Sequence, residues 1–201
     1  MTRYLPGILA MSALVVASNI LVQFLFGNWL TWGAFTYPFA FLVNDVMNRV
    51  HGPDAAKRVV LAGFGVGVVC SLVAAGLNLT TLRIALGSGL AFVVAQMTDV
   101  VVFDRLRAGQ WWRAPLVSTL IGATLDTAIF FSVAFAAVFV FLEPGGDTGW
   151  ATELVPMLGS GPEAPLWVSL ALADLGVKLA LALLALPLFR IIVKRLIAGV
   201  A

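Results

Sequence analysis

Six long apolar runs, at about 6–25, 31–49, 59–77, 84–103, 115–142 and 166–193, are interrupted by so few charges that they settle the class of this chain before any motif is read. A helix crossing a bilayer needs about 20 apolar residues. In lipid every backbone N–H and C=O must also be paired inside the protein, which leaves helices as the natural spanning element for such runs. The expectation is one domain over 1–201, an all-α integral membrane protein with six transmembrane helices. Composition agrees: 61% of residues are hydrophobic and 11% charged, against roughly 25% charged in soluble domains. Cys70 is the single cysteine, so no intramolecular disulfide can form and the redox compartment cannot be read from it.

The first run follows Arg3 and has small residues at Ala17 and Ser18, as a cleaved signal peptide would. Its apolar character continues past Ser18, which favours a retained helix. The second run, 31–49, carries Pro38 among aromatics, then Asp45 and Arg49. A proline inside a helix removes one hydrogen bond and crowds the carbonyl four residues back, here Ala34, so a kink or break is expected. Gly63, Gly65 and Gly67 read as helix-contact positions rather than a nucleotide loop, because no strand precedes them and no lysine follows. The fifth run exceeds the length of a span, so tilt or an extension is expected. The Gly-, Pro- and acid-rich connection 143–165 is long enough to be mobile or to act as a lid.

Charge placement orients the chain. Arg3, then Arg49, Lys57 and Arg58, then Arg105, Arg107 and Arg113, then Arg190, Lys194 and Arg195 fall on one side; Arg83 lies opposite and Lys178 within a span. Lysine and arginine mark the cytoplasmic side, so both termini are expected there, with the acidic loop outside.

Polar residues inside spans are costly and are expected to face a bundle interior, a partner or a cavity. At helical spacing, Ser12, Asn19 and Gln23 share a stripe, as do Ser88, Phe92, Gln96 and Asp99, and Thr119, Gly122, Asp126 and Phe130; Asp174 and Lys178 stand at i and i+4. Every helix but the third thus contributes polar groups beside aromatics, as a polar, aromatic-lined site requires. Asp174 and Lys178 read equally as a structural ion pair or as ligand groups. Asp45 with Arg49, and Asp99 near Arg105 and Arg107, read as cytoplasmic ion pairs or gate elements. Asn19 and Gln23 could be interhelical hydrogen-bonding groups. Asp126 is the only charge of its run and reads as functional. Trp111 and Trp112 suit an interfacial belt. His51 is a lone loop histidine, no metal-ligand cluster is apparent, no nucleophile and base can be assembled, and a phosphate-binding loop is missing. Transport without a cofactor fits better than catalysis, and nothing points to nucleic acid.

Ala17-Ser18-Asn19, Thr31 to Phe39, Asp45 to Arg49, Arg83-Ile84-Ala85, Gln96 to Val100, Val102 to Arg107, Trp111 to Pro115, Ser118-Thr119, Asp126-Thr127 with Phe130-Phe131, and Asp174 with Lys178 together resemble the queuosine precursor transporter family, also called the vitamin uptake transporter family. The resemblance covers nearly the whole chain apart from the acidic loop. It implies a bacterial inner-membrane importer of 7-deazaguanines such as preQ0 and preQ1, with a fold similar to the substrate-binding components of energy-coupling-factor transporters. A homodimer is one possible assembly. On that resemblance the substrate-contacting set is expected among Asn19, Gln23, Thr36, Tyr37, Phe39, Ser88, Phe92, Gln96, Asp126, Phe130, Asp174 and Lys178, with Asp45, Arg49 and Asp99 at a gate. A carboxylate suits the N–H edge of a guanine-like ring, an amide or lysine its carbonyl, and aromatics its face.

Overall fold

A computed structural model describes residues 4–22, 24–146 and 148–198. Seven helices carry the fold: α1 (Leu5–Leu21), α2 (Gly33–Thr36), α3 (Pro38–His51), α4 (Pro53–Gly76), α5 (Leu82–Leu106), α6 (Arg113–Phe135) and α7 (Leu166–Ala198). Two short antiparallel pairs complete it, β1 (Leu25–Phe26) with β2 (Leu30–Thr31), and β3 (Leu154–Pro156) with β4 (Glu163–Pro165). This is an all-α membrane protein. Helices α4, α5, α6 and α7 are long and apolar enough to cross a bilayer, whereas α1 is a shorter apolar helix of 17 residues. The outer face of α4 exposes Leu61, Val69, Leu72 and Val73, a surface that water would disfavour and lipid chains accept.

Helix α3 is the hub, packing against α1, α4, α5, α6 and α7. The break expected at Pro38 is mild. α2 ends at Thr36 and α3 begins at Pro38, but Tyr37 between them keeps helical torsions (φ −57°, ψ −39°) and its N–H donates to the Gly33 carbonyl. Proline at the first position of α3 costs that helix no hydrogen bond, since its N–H would be unpaired there anyway. Gly33 to His51 therefore forms a nearly continuous rod of about 28 Å. At its far end Gly52 has φ +87°, a torsion that suits glycine, and Pro53 opens α4 immediately, so the chain reverses in one step.

The fifth run is shorter as a helix than the apolar sequence suggests. α6 stops at Phe135, Ala136 turns extended (ψ 139°), and Ala137–Leu142 continues as a 3₁₀ segment. The cause is visible at Arg83, which is buried at 1% exposure and caps α6: its Nε donates to the Val133 carbonyl at 2.7 Å, Nη2 to Ala136 O, and Nη1 to Thr148 Oγ1 at 3.3 Å. Cations favour helix C-termini and their orphan carbonyls. Glu143 returns the contact, accepting from the Arg83 N–H at 2.9 Å and the Leu82 N–H at 3.2 Å, so each helix end is closed by the other's segment. The Arg83 N–H beside it holds the Glu143 carboxyl below its usual range.

The connection expected to be mobile or to act as a lid folds as a hairpin. β3 pairs with β4, the Leu158 N–H donates to Ser169 Oγ at 3.0 Å, and Ala151 is buried beneath Phe131 and Phe135. Among the proposed contact glycines, Gly63 lies against Met11 and Gly67 against Val15, which seats α4 on α1, whereas Gly65 faces open space. Trp111 and Trp112 are partly exposed as a belt requires, and the Arg190 guanidinium sits 4.7 Å from the Trp111 ring centroid.

Candidate functional site

The interior holds two polar clusters on α3, α5, α6 and α7. Thr119 and Asp126 lie about 10 Å apart along α6, one in each cluster.

The first cluster lies toward the hairpin end. Lys178 of α7 is buried at 4% exposure. Its Nζ donates to Asp126 Oδ2 at 2.6 Å and Thr127 Oγ1 at 3.1 Å, both on α6, and pairs with Asp174 Oδ2 one turn back at 2.5 Å. An ammonium has three protons, and these three acceptors take them all. Tyr37 Oη donates to Asp126 Oδ1 at 3.0 Å, Thr127 Oγ1 donates to Asp174 Oδ2 at 2.8 Å, and Nζ lies 5.4 Å from the Tyr37 ring centroid. Asp126, which lacks a basic neighbour in sequence, is therefore paired in space. The Asp174–Lys178 pair forms as the i, i+4 spacing predicts, but as part of a triad rather than alone.

The second cluster lies toward the basic end. Asp45 of α3 accepts from Ser118 Oγ and Thr119 Oγ1 of α6, each at 3.2 Å. Asn44 Nδ2 donates to Asp99 Oδ2 at 2.8 Å and to the Gln96 carbonyl at 3.1 Å, and Asn48 Nδ2 to the Val100 carbonyl at 3.0 Å. These amides staple α3 to α5. The local ion pairs expected here do not form: the described residues contain no salt bridge of Asp45 or Asp99 with an arginine. Arg49 donates instead to the Arg107 carbonyl, and Arg107 pairs with Asp104 at 3.1 Å. An arginine at a helix end gains more by binding carbonyls there than by turning back into the bundle. A cavity of about 10 Å³, room for one water, adjoins Asp45 and Thr119 and is walled by Phe41, Ala182, Ala185 and Phe189.

Between the clusters, Phe41 packs on Gly122, where an added Cβ would stand 2.6 Å from Phe41 Cε1. Tyr37 meets Phe41 and Phe92 edge to face, with centroids 6.4 and 6.1 Å apart.

The structure brings Tyr37, Asp126, Asp174 and Lys178 together, with Phe92 beside Tyr37, and places Gln96, Asp99 and Asp45 in the second cluster. Other expected contacts point elsewhere. Thr36 bonds Ser18 Oγ at 2.8 Å and the Gly33 carbonyl, Asn19 donates to the Val15 carbonyl at 2.9 Å, Phe39 packs toward Leu42 and Phe189, and Phe130 joins Phe131 and Phe135 near the hairpin. Ser88 is half-buried. The inward stripe of α1 is Gly7, Met11, Val15 and Ser18, so its polar flank is displaced from the site. Gln23 falls outside the described residues. Sequence reading missed Asn44 and Asn48, although their i, i+4 spacing beside Asp45 is a detectable signal. The described residues include no group able to hold a metal ion.

A family model described as "Putative vitamin uptake transporter" matches residues 31–192. The chain is 38% identical over 140 residues to the queuosine precursor transporter of Escherichia coli K12, covering 60% of this chain and 63% of the relative. It is 36% identical over 121 residues to a protein of Haemophilus influenzae named "Probable queuosine precursor transporter", covering 52% of each. A Bacillus subtilis protein of the same name is 32% identical over 138 residues, covering 57% of this chain and 60% of that one. The chain thus spans between about half and two thirds of the length of these relatives. No solved structure matches it significantly.

Proposed function

The chain belongs to the vitamin uptake transporter family, and from that premise we propose that it imports queuosine precursors, 7-deazaguanines such as preQ0 and preQ1, across a bacterial inner membrane as a secondary transporter or facilitator. The observation that carries the reading is the pair of buried polar clusters flanking an aromatic step, inside a bundle whose outer face is apolar. A planar, hydrogen-bonding heterocycle needs carboxylates and amides for its edges and ring faces for its plane. Tyr37, Phe92, Gln96, Asp126, Asp174 and Lys178 supply such groups along one path. The names of the relatives, queuosine precursor transporter, support this substrate class. In this reading α1, the α2–α3 rod and α4 to α7 make six spans, both termini are cytoplasmic, and the hairpin 143–165 faces outward. Burial of Arg83 as a helix cap removes the one cation that would oppose this orientation.

Binding of labelled preQ1 to purified protein tests the assignment through Asp126→Asn and Asp174→Asn. Weakened binding in at least one is expected; wild-type affinity in both removes these carboxylates from the site. Dependence on a separate ATP-driven module is the competing mechanism, and uptake by the chain alone in liposomes rules it out.

A further inference from the structure

The two clusters differ in a way that the family likeness does not explain. In the hairpin-end cluster the Lys178 protons and the carboxylates satisfy one another. In the basic-end cluster, where the Asp99 carboxyl also lies against Asp45 and Ser118, five buried side-chain atoms make no hydrogen bond in this conformation: Asn44 Oδ1, Asn48 Oδ1, Asp99 Oδ1, and both Oε1 and Nε2 of Gln96. Every residue involved is at most 1% exposed. Among the described residues these are the only such atoms. Leaving a buried polar group unmatched forfeits its hydration with nothing in return, so concentrating five of them on the facing sides of two helices is expensive for a purely structural contact.

Their chemistry defines what would satisfy them. The two asparagine amides are already oriented, because each Nδ2 donates to a backbone carbonyl of α5. What remains is four acceptor oxygens and one amide donor. A bare cation would engage the oxygens and leave Gln96 Nε2 unmatched. A second carboxylate would be repelled by Asp45 and Asp99. The matching occupant carries several N–H donors beside one carbonyl acceptor, which is the edge of a 2-amino-4-oxo pyrimidine ring.

We infer that this α3–α5 cluster reads the guanine-like edge of the substrate: Asp99 Oδ1 and the asparagine oxygens accept from the ring N–H and exocyclic amino group, and Gln96 Nε2 donates to the ring carbonyl. The inference rests on the importer reading and deepens it. The hairpin-end triad is then the closed, self-paired entrance to the site. The cavity beside Asp45 lies between α3, α6 and α7 and is lined by none of Asn44, Asn48, Gln96 and Asp99, so binding of a ring requires the α3–α5 seam, closed in this conformation by the asparagine amides, to open.

The test is equilibrium binding to protein in nanodiscs of two probes, a 7-deazaguanine and the same ring lacking the 2-amino group, with melting followed in parallel. Wild type should prefer the amino compound by about 10-fold or more, the scale of a hydrogen bond to a charged group. Asp99→Asn should bind the amino compound about 10- to 100-fold more weakly and lose most of that preference. Gln96→Met retains size and removes two orphan polar atoms, so it should melt above wild type without ligand while binding more weakly, a split that a structural glutamine would not give. Unchanged affinity and preference in both variants overturns the assignment and leaves the importer reading standing. Wild-type protein that binds neither probe overturns both.

Discussion

Replacing Lys178 by methionine removes the cation that touches the buried Asp126 and the half-buried Asp174 while keeping the side chain's length. Asp126 would retain Tyr37 Oη at 3.0 Å, and Asp174 would retain Thr127 Oγ1 at 2.8 Å, but both side chains are largely enclosed, at 6% and 14% exposure. Breaking a buried pair from one side costs about 3–5 kcal/mol. For a chain of this size, Lys178→Met should therefore lower the melting temperature by about 6–20 °C. Adding Asp126→Asn should restore part of the loss. Tryptophan-fluorescence melting in detergent measures both. A Lys178→Met variant that melts within about 2 °C of wild type would refute the triad.

Two further outcomes follow from the packing. Gly122→Ala places a methyl 2.6 Å from Phe41 Cε1 and 3.3 Å from the Ala95 carbonyl, so it should cost about 1–3 kcal/mol of stability, read by the same melt; an unchanged melting temperature would mean Phe41 is not held against α6. Glu143→Gln should loosen the start of α5, seen as faster hydrogen exchange at Leu82 and Arg83. Because the Glu143 carboxyl is held low, its contribution is complete above the ordinary glutamate value of 4.5 and is lost as pH falls through the lowered one, so wild type should approach the variant's exchange rates only in acid.

Helical spacing made much of the interior legible. Phe92, Gln96 and Asp99 share one face, as do Thr119, Gly122 and Asp126, and those faces do point inward. Periodicity gives the face of a helix but not its neighbour. Asp126 therefore looked unpaired until α6 packed against α7 and brought Lys178 to it. The i, i+4 rule suited Asp174 and Lys178 but misled for Asp45 and Arg49, where backbone carbonyls at the end of α5 compete for the guanidinium and hydroxyls of α6 for the carboxylate. Arg83 illustrates the same limit. In sequence it is a lone cation near a helix start; in space it closes a helix that began thirty residues later. The hairpin was illegible because Gly- and Pro-rich composition describes turns equally well whether or not they dock, and here Arg83 ties the connection down near its start and Ser169 at the turn between β3 and β4.

Uptake of labelled preQ1 into liposomes containing only the purified chain tests the central claim most directly. The account predicts saturable accumulation above that of empty liposomes, competed by unlabelled preQ0 and reduced in Asp99→Asn. Protein that is folded by its melting curve yet neither accumulates preQ1 nor releases it from preloaded liposomes would contradict the account.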